Sequence, residues 1–214
     1  QATAGRMILY SFRRCPYAMR ARLALLVAGI QVELREIVLR DKAPEFLQTS
    51  PKGTVPVLVT DDQDIEESLD IMLWALGRND PEGWLDMPAE GHALIDACDG
   101  PFKQALDHTK YAVRFPDLDE NEERAKALSH LHAWNDRLSK TAFLMGESRT
   151  LADMAILPFV RQFANTDRTW FDAQNLNPLT SWLDDFLTSG GFAAIMTKHQ
   201  PWKPEQKPVM FPPG

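Results

Sequence analysis

The first forty residues place one helical pattern between two short segments typical of strands, and this order constrains the fold more than any other feature. Residues 7–10 form a short apolar strand, and residues 32–38 are interpreted as the second strand. Between them, apolar residues recur at helical spacing from Met19 to Ile30, after Pro16, a residue type favoured in the first turn of a helix. Strand, helix and strand within about 30 residues predict a βαβ unit with parallel strands and a right-handed crossover.

A second group of short elements follows. Residues 44–47 predict a short helical piece, and residues 55–60 and 64–67 predict two strands joined by a polar hairpin turn. Ser68 then opens a helix that continues to residue 76, because serine is a strong N-cap. A βαβ unit followed by a ββα unit is the thioredoxin-like arrangement.

The rest of the chain shows no alternation typical of strands and predicts an all-helical second domain. Residues 78–87 are polar and rich in helix breakers, so we interpret them as a linker between a first domain at 7–77 and a helical domain at 88–200. The proline-rich residues 201–214 are expected to extend over the surface. The predicted helices of the second domain are 88–114, with a bend at Gly100-Pro101, then 121–140, 151–165, 178–187 and 192–198.

Charge and cysteine content exclude several classes of function. The net charge is -7, which argues against nucleic acid or an anionic membrane as the main partner, since both need a basic face. No apolar run approaches the roughly 20 residues of a membrane helix. Residues 1–6 lack the apolar stretch of a signal peptide, and we interpret them as a trimmed or added lead. Two cysteines, Cys15 and Cys98, give no disulfide framework, so a cytoplasmic location is the expectation.

Two further patterns are interpreted as structural. Thr150 and Asp153 resemble a capping box at a helix start, with Asp in place of the usual Glu or Gln. His130 and His132 are two residues apart on a predicted helix, so they point in different directions and cannot easily share a metal. We therefore expect no metal cofactor.

Four motifs, in order along the chain, resemble those of the glutathione transferase family, in particular its omega-like bacterial type. LYSFRRCPYAMRARLAL at residues 9–25 is similar to the family's Cys-Pro-aromatic-Ala turn, and TVPVL at 54–58 to its Val-Pro loop. IEESLDI at 65–71 resembles its Glu-Ser motif, and TLADMAILPFVRQFA at 150–164 a helix of its C-terminal domain. The resemblance implies an α/β thioredoxin-like N-terminal domain plus an all-α C-terminal domain, glutathione as co-substrate, and a homodimer.

Cys15 is the candidate catalytic residue. It lies between a strand and a helix N-terminus, where the helix dipole favours a thiolate, and Arg13 and Arg14 add positive potential. We expect these effects to lower its pKa below the value of about 8.5 for a free cysteine. The resemblance implies a mixed disulfide between Cys15 and glutathione. A dithiol enzyme carries a second cysteine three positions on, where this chain has Ala18, so the expected resolving thiol is a second glutathione. The alternative is an inert cysteine in a packed turn, and a core position is expected for Cys98.

The resemblance also implies a set of glutathione-binding residues. A cis peptide bond between Val55 and Pro56 would present the Val55 backbone to the cysteinyl unit of glutathione, as an added strand. Ser68, at a helix start, would bind the γ-glutamyl carboxylate, and Glu67 would accept its ammonium group. The alternatives are an ordinary proline at the start of a strand and a serine that only caps its helix.

The sequence says less about which residues would bind the glycyl end of glutathione and the acceptor substrate. Lys42 occupies the position of the lysine that binds the glycyl carboxylate in omega-type members; Lys52 is a nearby competitor, and a solvated lysine is the alternative for both. The acceptor site is expected between the domains, and core packing is an equally good interpretation of its candidate residues, Phe12, Tyr17 and Tyr111.

Three functions compete. The first is thiol transfer through a Cys15–glutathione intermediate, with glutathione mixed disulfides or dehydroascorbate-like acceptors as substrates. The second is conjugation of glutathione to an electrophile, with the hydroxyl of Tyr10 or Ser11 stabilising the glutathione thiolate. The third is a non-catalytic interaction protein that keeps the fold. Cys15 at a helix N-terminus favours the first over the second. The presence of Glu67, Ser68 and Pro56 argues against the third, because a pure scaffold need not keep a set of residues suited to glutathione.

Overall fold

The computed structural model describes residues 5–214; residues 1–4, which begin the predicted lead, lie outside the described residues. The chain forms two compact units. One contains the chain up to Glu82 together with Ser189–Gly214, and the other contains Gly83–Thr188. The first division falls within the predicted linker at 78–87, whereas the C-terminal part of the chain returns to the first unit.

The first unit is built on a five-stranded sheet in the order β4-β3-β1-β2-β5. Strands β1 and β2 pair in parallel, and β3 pairs antiparallel with β1 and β4, which is the pattern predicted from the βαβ and ββα order. The strands are β1 Ile8–Ser11, β2 Val32–Glu36, β3 Val57–Val59, β4 Asp64–Ile65 and β5 Val209–Phe211. The helices of this unit are α1 Pro16–Ala28, α2 Pro44–Thr49, α3 Ser68–Arg78 and α10 Gly190–Ile195.

Local sequence signals explain how α1 begins and ends. Pro16 occupies the first helical position, where its missing N–H costs nothing. Gly29 ends the helix in the left-handed conformation, with φ 69°, which glycine adopts without steric cost. Helix α1 packs against α3, and most of its apolar residues are buried.

The second unit is helical, as the sequence predicts. Helix α4 runs into α5 through a π-helical turn, Cys98–Phe102, at Gly100-Pro101, where the sequence predicts a bend; Pro101 has no N–H to donate to a regular α-helix. Within residues 5–214, every helix is too short or too polar to span a bilayer. The α-helices of this unit are α4 Ala89–Ala97, α5 Lys103–Lys110, α6 Glu120–Leu138, α7 Leu151–Ala164, α8 Arg168–Ala173 and α9 Asn177–Leu187.

The C-terminal part of the chain corrects the sequence prediction. The predicted helical domain at 88–200, with a surface tail at 201–214, places residues 189–214 outside the first unit, whereas the structure places them in it. Val209–Phe211 pairs antiparallel with β2, with Phe211 opposite Val32, and Gly190–Ile195 packs against α1. The physical reason is the edge of β2, whose N–H and C=O groups need partners that this short strand supplies.

Candidate functional site

The turn between β1 and α1 presents Cys15 at the N-terminus of a 13-residue helix. Cys15 is the N-cap residue, with extended backbone angles and no side-chain capping bond, and its N–H donates to the carbonyl of Phe12 at 3.1 Å. Its half-buried Sγ lies 4.0 Å from the carbonyl oxygen of Val55. The thiol therefore lies where the first N–H groups of α1 and its dipole favour a negative charge.

A buried arginine that the sequence analysis did not single out anchors this turn. Arg22, 2% exposed, donates to the Ser11 hydroxyl at 2.6 Å, to the Arg13 carbonyl at 2.6 Å and to the Ile195 carbonyl at 2.9 Å. Burial lowers the pKa of Arg22 to about 10, so it remains charged at neutral pH, and it interacts electrostatically with Cys15. The sequence feature that could have identified Arg22 is its position two helical turns after Cys15, on the same face of α1.

The loop before β3 lies beside Cys15 because β1 and β3 are paired, with Tyr10 opposite Val57. The peptide bond between Val55 and Pro56 is cis, as the family resemblance implies. This loop and the Cys15 turn share a small core around Phe46. Of the predicted site residues, Cys15, Val55 and Pro56 are therefore brought together.

Ser68 differs from its predicted role as an N-cap. It is the first residue of α3, Glu67 is the N-cap, and no side-chain hydrogen bond caps this helix. The buried Ser68 hydroxyl instead accepts a hydrogen bond of 3.4 Å from Arg20. The prediction of a capping serine is wrong because the chain turns helical one residue earlier and a buried guanidinium on α1 engages the hydroxyl. Arg20, 1% exposed, was missed because a charged residue in a helix normally indicates a solvated face.

The two candidate lysines have different surroundings. A Cβ added to Gly53 would lie 2.9 Å from the Nζ of Lys42, so this ammonium packs against the loop that leads to Val55. The Nζ of Lys52 lies 3.8 Å from the carboxylate of Glu66; the Lys52 side chain is exposed, and that of Glu66 is partly buried. The structure thus brings Lys42 to the Val55 loop and places Lys52 beside an acidic partner.

The candidate acceptor residues are divided between the two units. Phe12 packs against the same core as Cys15, and the Tyr17 ring centroid lies 5.9 Å from the guanidinium carbon of Arg20. Tyr111 belongs to the second unit, at the end of α5, where the Arg114 guanidinium carbon lies 4.3 Å from its ring centroid.

The two hydroxyls considered for conjugation are buried and engaged by arginines. The Tyr10 side chain packs against Phe46, and its hydroxyl accepts a hydrogen bond of 2.9 Å from Arg35. Ser11 is fully buried, and its hydroxyl accepts from Arg22. Both hydroxyls therefore have structural roles.

Comparison with known proteins identifies the family. The model for the glutathione S-transferase N-terminal domain matches residues 9–83, and that for the C-terminal domain matches residues 93–185. Glutathione S-transferase 4 of Zea mays is 30% identical over 170 residues, which cover 69% of this chain and 73% of that protein. Glutathione S-transferase F9 of Arabidopsis thaliana is 26% identical over 205 residues, which cover 84% of this chain and 92% of that protein. The chain belongs to the glutathione S-transferase family.

Solved structures agree on the fold. A family member from Pseudomonas fluorescens pf-5, with two glutathione bound, superposes with a TM-score of 0.75 at 19% identity and covers 89% of this chain and 92% of its own. Glutathione transferase Omega 3C from Trametes versicolor gives a TM-score of 0.73 at 18% identity, with 92% of each chain covered. At these identities the structures establish the fold alone: a thioredoxin-like unit and a helical unit.

Proposed function

We propose that the protein is an omega-like, glutathione-dependent thiol transferase that acts through a Cys15–glutathione mixed disulfide. The observation that carries the proposal is the position of the Cys15 thiol: at the N-terminus of α1, beside the Val55 carbonyl, and within the electrostatic reach of the buried Arg22. The helix N-terminus and the Arg22 guanidinium each stabilise a thiolate, which is the nucleophile in thiol–disulfide exchange. The Val55 carbonyl places the sulfur beside the loop that is predicted to bind glutathione.

The proposed reaction uses a single thiol of the protein, that of Cys15. The Cys15 thiolate attacks the glutathione sulfur of a mixed disulfide, the new S–S bond joins Cys15 to glutathione, and the other thiol leaves as a thiolate that takes up a proton. A second glutathione thiolate then attacks the glutathione sulfur of the adduct, which yields glutathione disulfide and restores the Cys15 thiolate. The resolving thiol comes from outside because position 18 is alanine and Cys98 is fully buried.

Glutathione binding is assigned to the residues around this thiol. The Val55 backbone at the cis peptide bond would pair with the cysteinyl unit, and Lys42 would meet the glycyl carboxylate. The γ-glutamyl carboxylate would bind at Ser68, where Arg20 adds a buried positive charge, and Glu67 would accept the ammonium group. We also infer, from the family resemblance, a homodimer in the cytoplasm; the proposed reaction requires neither.

Glutathione conjugation is the weaker alternative. It needs a hydroxyl directed at the glutathione sulfur, and the hydroxyls of Tyr10 and Ser11 are buried and bound to arginines. The Cys15 thiolate would also oppose a second sulfur anion nearby. The test is a pair of rates for the wild-type protein: reduction of a glutathione mixed disulfide or dehydroascorbate should be readily measured, and conjugation of a chloronitrobenzene should be weak. The reverse order would favour the conjugating function.

Removal of the Ser68 hydroxyl tests the glutathione site. Ser68→Ala should weaken glutathione binding by about 1–3 kcal/mol, because the bound carboxylate would lose a hydrogen bond and Arg20 would lose its partner. Titration calorimetry measures the change. Ser129→Ala, which removes an exposed serine hydroxyl of α6, is the matched control and should bind glutathione as the wild type does. Equal affinities for wild type and Ser68→Ala would remove Ser68 from the site.

A further inference from the structure

A cavity of about 460 Å³ opens in the first unit, next to the turn that presents Cys15. It lies between the β1–α1 turn, the end of β2 with the residues after it, and the chain at 198–201. None of the residues assigned to glutathione lines it. Phe12, which also packs in the core that Cys15 contacts, and Leu39, which is 41% exposed, form part of its apolar wall.

The cavity is rich in positive charge although the protein as a whole is acidic. Arg13, Arg14, Arg40 and Lys198 line it, in a chain of net charge -7. Within residues 5–214, the side chains of Arg14, Arg40 and Lys198 make no ion pair. Because unpaired cations around one concave space reinforce each other's potential, the cavity attracts anions.

One carboxylate, that of Glu36, lies among the lining residues. Glu36 accepts a hydrogen bond of 2.8 Å from the Arg13 N–H, and burial raises its pKa. The other titratable residue, His199, has its pKa lowered by burial and by the charge of Arg22, so it is neutral at pH 7 and remains able to donate a hydrogen bond. Even with the Glu36 carboxylate ionised, the four cations of the lining outnumber it, so the charge of the cavity is positive at neutral pH.

One wall of the cavity is held in place by the C-terminal strap, residues 198–211. The Trp202 N–H donates to the Glu36 carbonyl at 2.8 Å, and the Arg35 guanidinium carbon lies 4.2 Å from the Trp202 ring centroid. Val209–Phe211 then pairs with β2. These contacts fix Lys198 and Pro201 opposite the β1–α1 turn, so the cations and the apolar wall are present before any ligand binds.

We propose that this cavity binds an apolar organic anion, an aromatic or aliphatic body that bears a carboxylate or sulfonate, and that it receives this part of the acceptor substrate. Arg14, Arg40 and Lys198 meet the anionic group, and Phe12 and Leu39 contact the apolar body. The role of the cavity as an acceptor subsite depends on the proposed thiol transfer at Cys15. The affinity of the cavity for an anion is independent of that reaction.

Direct binding tests the cavity without any chemistry at Cys15. Titration calorimetry compares naphthalene-2-sulfonate with naphthalene-2-sulfonamide, which has nearly the same shape and no charge. The sulfonate should bind at least about tenfold more tightly, and Arg40→Ala/Lys198→Ala should remove that preference while leaving sulfonamide binding unchanged. Lys207→Ala, an exposed lysine of the strap outside the cavity, is the matched control and should keep the preference. Equal affinities in the wild type, or the same loss in Lys207→Ala, would overturn the anion site.

Kinetics tests the acceptor role separately. The substrates are the mixed disulfides of glutathione with 4-mercaptobenzoate and with 4-mercaptobenzamide, and we expect a kcat/KM ratio of acid to amide above about ten that falls towards one in Arg40→Ala/Lys198→Ala. Turnover of both substrates with a wild-type ratio near one would refute the anionic acceptor and leave thiol transfer intact. If neither substrate is turned over through Cys15, thiol transfer and the acceptor role are both refuted. The calorimetry would then be the remaining test of the anion site.

Discussion

Replacement of Cys15 by alanine is expected to abolish thiol transfer, with a loss of at least about a thousandfold in rate, because no mixed disulfide with the protein can form. Conjugation of a chloronitrobenzene should not fall and is expected to rise, since removal of the Cys15 thiolate removes a charge that opposes the glutathione sulfur anion. Both rates are measured side by side on wild type and variant. Opposite responses of the two reactions distinguish a catalytic thiol from general damage to the glutathione site.

Two controls accompany this variant. Cys98→Ala removes the other cysteine, which is fully buried in the helical unit, and should retain thiol transfer. Cys15→Ser keeps the size of the side chain and should lose thiol transfer as Cys15→Ala does. If Cys15→Ala instead kept full thiol-transfer activity, the mechanism would be wrong, and a hydroxyl at Tyr10 or Ser11 would become the better candidate.

Replacement of Asp153 by alanine should lower the free energy of unfolding of the helical unit by about 3–5 kcal/mol, because several buried hydrogen-bond donors would lose their acceptor at once. The fully buried carboxylate accepts from the N–H of Leu144 at 2.9 Å, the N–H of Thr150 at 2.9 Å and the indole Nε1 of Trp182 at 3.0 Å. It thus joins the predicted capping box of α7 to the preceding loop and to α9. Urea unfolding monitored by tryptophan fluorescence measures the loss.

A control at an exposed aspartate and the pH dependence of stability both test the role of Asp153. Asp117→Ala removes a solvent-exposed carboxylate of the same unit and should change the unfolding free energy by less than about 0.5 kcal/mol.

Burial raises the pKa of Asp153 above its ordinary value of 3.8, so the folded state binds this proton more tightly than the unfolded state. The stability advantage of wild type over Asp153→Asn should therefore shrink as pH rises from about 3.8 through the raised pKa. An advantage that grows over that range would contradict the assignment.

Local signals made much of the fold predictable. Pro16 and Gly29 mark the two ends of α1, Pro101 marks the irregular turn between α4 and α5, and Thr150 with Asp153 marks the start of α7. Each is a case in which one residue type satisfies a backbone requirement that does not depend on distant contacts. The motif order then placed these elements in the correct fold.

The features that sequence reasoning missed depend on tertiary contacts. Arg20 and Arg22 read as ordinary charged residues of a helix, yet their burial is made tolerable by acceptors from other parts of the chain, the Ser68 hydroxyl for one and the Ile195 carbonyl for the other. Val209–Phe211 became a strand because β2 offered an open edge, which a three-residue run between prolines does not reveal. The cationic cavity shares this origin, since Lys198 reaches Arg40 only through the return of the chain.

Mass spectrometry of the protein after incubation with glutathione disulfide at neutral pH tests the central claim most directly. The account predicts one added glutathionyl group, located on the peptide that contains Cys15 and removed by excess reduced glutathione. An unmodified Cys15 in folded protein that still catalyses thiol transfer would contradict it.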